Sequence, residues 1–187
     1  MKEITMPDYN HSILNAITSI LKHYKVETNH TSLKSLDNRL NHGYKNVVFI
    51  ILDGMGEHIL NNISPEGYFS SKKIDCVTSV YPSTTTAALT TYYSGKPPYE
   101  TGWIAWSQYF KEYGRALDML SHKESYKGES IKDAKINVFE DIVKWRTIAQ
   151  IWNRFWRSKK IYKKIYSFWL DKRRNGSTSD SYFTKIT

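Results

Sequence analysis

The stretch NVVFIILDGMG, residues 46–56, limits the fold more than any other part of this 187-residue chain. Six consecutive apolar residues, Val47 to Leu52, four of them β-branched, end at Asp53-Gly54. An alternating strand suits a sheet with one wet face, whereas an unbroken apolar run suits a strand buried on both faces, as in the centre of an α/β sheet. The pattern then turns helical through Ile59 and Leu60. A second strand is expected over KIDCVTSVY, residues 73–81. It runs directly into PSTTTAALTTYYSG, where a helix starting at Thr85 or Thr86 is closed by Gly95. Two strand-to-helix units in succession predict a parallel α/β fold. Upstream, HSILNAITSILKHY sets Ile13, Leu14, Ile17, Ile20 and Leu21 on one helical face, with Asn10 or Ser12 as N-cap. TSLKSLDNRL predicts a second short helix. After KPPYETGWIAW the pattern loosens.

Composition narrows the function classes. A hydrophobic fraction of 40% and a charged fraction of 24% read as globular. Cys76 is the single cysteine, which excludes an intrachain disulfide and a cysteine-based zinc motif. The first residues lack the apolar core of a secretory signal, and no apolar run is long enough to cross a bilayer, so a cytoplasmic protein is expected. The net charge of +9 would suggest a nucleic-acid or membrane partner, but it is concentrated: residues 151–174 hold nine Lys/Arg and one acid, Asp171. That segment carries +8 and leaves about +1 for the rest of the chain. It continues a predicted long helix whose apolar stripe includes Ile148, Trp152, Phe155, Ile165 and Trp169. A basic aromatic helix over about 145–170 would suit an anionic membrane or nucleic acid, a non-enzymatic alternative for the whole chain.

Two positions can carry chemistry. Asp53 stands at the carboxyl end of the apolar run, where open α/β sheets place ligands, and its carboxylate suits a metal ion or a phosphoryl group. On that motif alone an ordinary Asp-Gly turn is the commoner reading. A haloacid-dehalogenase-type phosphatase needs a second Asp where Met55 stands, and a dinucleotide fingerprint needs glycine where Ile59 stands, so both are excluded. Thr84, Thr85 and Thr86 open the helix after the second strand. Helix starts favour anions through unpaired amides and the dipole. A threonine hydroxyl needs a base or a metal to become a nucleophile, and N-capping is the competing role.

VVFIILDGMG followed by YPSTTTAALTTYYSGKPPYETGW resembles the type I phosphodiesterase/nucleotide pyrophosphatase family of the alkaline phosphatase superfamily. The family pattern is a strand ending in a metal-binding Asp, then Pro-x-x-Thr, a helix, Thr/Ser-Gly, a Pro and a final His/Thr-Gly. It fits without a gap through Pro82, Thr85, Ser94-Gly95, Pro98 and Gly102, and the resemblance covers roughly residues 46–106. The resemblance implies an alkaline-phosphatase-like parallel sheet flanked by helices, incomplete in this chain. It further implies Asp53 as a zinc ligand, and Thr85 as both zinc ligand and the nucleophile that becomes phosphorylated. The reaction would be metal-dependent hydrolysis of a phosphoric ester, with two zinc ions in the family. On this division residues 1–45 are N-terminal helices, 46–135 a partial catalytic core and 136–187 a helical basic tail.

The chain also departs from the family. Further Asp and His ligands are expected well downstream, yet past Thr85 there is one histidine, His122, outside any such motif. His11, His23, His30, His42 and His58 lie upstream and fit no ligand spacing. A catalytic zinc takes three protein ligands, and Asp53 with Thr85 supplies two, so the chain is expected to be inactive alone. Where nucleotide-cleaving members carry an Asn, four residues past Gly102, this chain has Trp106. That puts nucleotide diesters in doubt as substrates. Trp106 and Trp103 are candidates to stack on a substrate, although core packing is the commoner fate of tryptophan. A reading frame truncated or shifted near residue 150 would account for the missing ligands and the basic tail together. A separate complementing chain supplying the ligands is the other route to a working site.

Overall fold

The computed structural model describes residues 5–63, 65–121, 123–128 and 138. Its architecture is mixed α/β. Helices α1 (Ile13–His23), α2 (Lys34–Leu40), α3 (Glu57–Ile63), α4 (Tyr68–Ser71), α5 (Thr85–Ser94) and α6 (Pro98–Thr101) precede the strands β1 (Ser107–Phe110), β2 (Arg115–Asp118) and β3 (Lys123–Glu124). Apart from Val138, the predicted tail helix, the basic segment and His122 lie outside the described residues.

Helix α1 forms where its apolar period predicts, with Ser12 rather than Asn10 as N-cap. The cap is reinforced by Asn15, whose Oδ1 accepts from the Ser12 amide at 2.7 Å and from its hydroxyl at 2.8 Å. The Asn15 amide group donates to the carbonyl and the hydroxyl of Thr31, at 3.0 and 2.9 Å. A fully buried asparagine is thereby saturated, which matters because each unmet buried polar group costs roughly 1–3 kcal/mol. Ser19 ties the same loop, exchanging hydrogen bonds with the amide and carbonyl of Leu33. Leu14, Ile17, Ile20 and Leu21 then pack with Val26 and Leu40. The adjoining cluster of Ile13, Val80 and Ala87 carries this core to α5, and Tyr9 and Tyr92 touch both.

The antiparallel sheet β1-β2-β3 is a meander over a second cluster of Trp103, Phe110, Leu117, Met119 and Val138. Only one of two expected tryptophans is core: Trp103 is buried, whereas Trp106 is 46% exposed.

The segments expected to form a parallel sheet need a different account. Residues 46–52 and 73–77 carry no regular strand, and the parallel pairing among the described residues is one bridge, between Ser12 and Thr78. Burial of the apolar run on both faces is not observed. Val47 packs into the α1 cluster and Phe49 meets Tyr92 of α5 edge-on, with ring centroids 5.3 Å apart. Val48 and Ile50 stand 83% and 70% exposed. The physical reason is one-sided cover: α1 and α5 lie against one face, and no described strand pairs with the edge.

Candidate functional site

The threonine run is sorted by α5 itself. Thr84 is the N-cap, in extended conformation, and its hydroxyl accepts from the Ala87 amide at 3.2 Å. Thr86 is fully buried, and its hydroxyl has no hydrogen-bond partner among the described residues. Thr85 occupies the first helical position and is partly exposed. One hydroxyl is therefore used by the backbone, one is shut in, and one is left at the helix mouth. The helix ends as its sequence predicts: Gly95 takes the left-handed conformation, φ 67°, and its amide bonds the Thr91 carbonyl. Helix α6 follows with Pro98 at its first turn, and Gly102 closes it.

Asp53 lies in the turn after the apolar run, exposed, with Gly54 at φ 71° and the Met55 amide returning to the Leu52 carbonyl at 3.4 Å. No hydrogen bond or ion pair joins Asp53 to Thr85, although Phe49 and Tyr92 hold their parent elements together. Burial in that contact pushes the Tyr92 phenol up to about 12, so it stays protonated and cannot act as a base near neutral pH.

The fit to zinc can be judged from donors. No group of three or more His, Cys, Asp or Glu side chains capable of holding a metal occurs among the described residues. The upstream histidines have local partners: His23 meets the Tyr44 carbonyl, His30 pairs with Glu100, His42 meets the Arg39 carbonyl and His58 meets Asn62. Asp53 and Thr85 alone fall one ligand short of a catalytic zinc site, so the described residues supply part of such a site and do not complete it.

A polar cluster that sequence reading missed gathers elsewhere. Asp75 accepts from the Ser35 hydroxyl and the Cys76 amide, and pairs with His11 at 3.0 Å. The Ser35 bond, then the amide and His11, hold the Asp75 carboxyl below its ordinary range against a smaller upward push from burial. Next to it, Glu57 accepts from the Cys76 thiol at 2.6 Å and from Lys73 at 2.5 Å. The thiol hydrogen bond, then the hydrogen bond and positive charge of Lys73, lower its pKa, and the same thiol bond raises that of Cys76. Serine, histidine and carboxylate meet here, but Ser35 donates to Asp75 and not to His11, so no base is aligned on the hydroxyl. The Cys76 thiol is likewise held protonated, the unreactive form. The cluster is a clasp between the N-terminal segment, α2 and residues 73–78. Its ion pair alone joins positions 64 apart, His11 and Asp75, so no local spacing announces it.

No family model matches the chain, and no curated protein or solved structure matches it.

Proposed function

We propose that residues 46–102 form part of a phosphoric ester hydrolase of the phosphodiesterase class that the motif resembles. Thr85 is its phosphoryl-accepting hydroxyl and Asp53 a metal-binding carboxylate. The observation that carries this reading is the sorting of three adjacent hydroxyls, which leaves Thr85 accessible at the start of a ten-residue helix. Unpaired amides there favour a bound phosphate and a developing alkoxide. The class implies attack of the Thr85 oxygen on phosphorus, departure of the alcohol, and hydrolysis of the phosphothreonine by water.

A threonine hydroxyl does not ionise unaided, and Thr85 has no base hydrogen-bonded to it among the described residues. The chain alone is therefore proposed to be inactive, and a complementing chain bearing the remaining ligands is its natural partner. The finer fold belongs to the same proposal: in the assembled enzyme residues 46–53 and 73–81 would become strands of a parallel sheet that such a partner extends.

Zinc titration and a turnover assay test the two parts separately. Weak zinc binding, reduced about tenfold by Asp53→Asn, is expected from the loss of one of two ligands. Hydrolysis of bis(4-nitrophenyl) phosphate should stay at background. Turnover abolished by Thr85→Ala would overturn the inactivity and keep the class. Zinc binding indifferent to Asp53→Asn would overturn the class.

A further inference from the structure

We draw no further inference here: the strongest candidate, the exposed apolar patch that Val48, Ile50 and Leu52 form between α2 and α3, carries nothing because nothing in the structure shows what covers it.

Discussion

Three neighbouring threonines with one chemistry are given three environments by a single helix start. Position relative to the cap decides each: the N-cap side chain folds back onto the helix, the first helical residue points outward, and the second turns into the core. Thr84→Ala should therefore destabilise the protein by about 1 kcal/mol, the ordinary cost of a lost cap. Thr85→Ala should change stability by less than about 0.5 kcal/mol, as for a surface substitution. Thermal or urea unfolding of the two variants checks the ordering, and equal losses would mean that Thr84 is not the cap. The sequence marks a run of three hydroxyls but does not say which of them is capped. That depends on where the backbone turns helical, a matter of one residue.

Elements here are held to one another by polar ties as much as by apolar contact. The clasp at Asp75 joins α2, the segment before α1 and residues 73–78, and it is charged on the carboxylate side. A carboxyl whose folded pKa is depressed contributes stability that is present above its unfolded value, about 3.9, and is lost as pH falls through the lower folded value. The unfolding midpoint should therefore drop as pH falls below about 4, and Asp75→Asn should flatten that acid limb. An unchanged acid limb in the variant would exclude Asp75 as its source. Element by element, helices were the legible part. Helix α1 follows from the spacing of Ile13, Leu14, Ile17 and Leu21, and α5 from its closing Gly95. The strands were not. At 46–52 the apolar run predicts a buried strand, but burial needs a second covering layer, which the residues themselves cannot announce. The meander escaped notice because β1 and β2 are four residues each, too short for period two to stand out. The one local signal was Gly114, at φ 61° in the turn between them.

At the scale of the molecule, separate apolar clusters divide the work. The cluster around Leu14 joins the helices, and the one around Leu117 backs the meander. Leu14 is 1% exposed and sits among side chains drawn from α1, α2 and the 46–52 segment. Leu14→Ala should cost about 2–5 kcal/mol, because the site is fixed from several sides and cannot collapse onto the cavity. A loss under about 1 kcal/mol in chemical denaturation would show that the helical part is not held by this cluster. The division also explains how much of the candidate site could be read in advance. Asp53 and Thr85 are each marked by their own short motifs, but whether they meet depends on how α5 lies against residues 46–52, and that is set by Phe49 and Tyr92.

The hydroxyl of Tyr24 has a consequence for how the apolar run is held. Tyr24 is the C-cap of α1, and it accepts from the Val47 amide at 2.9 Å. The start of the run is thereby tied to the end of a helix, so whatever unwinds the last turn of α1 also releases residue 47.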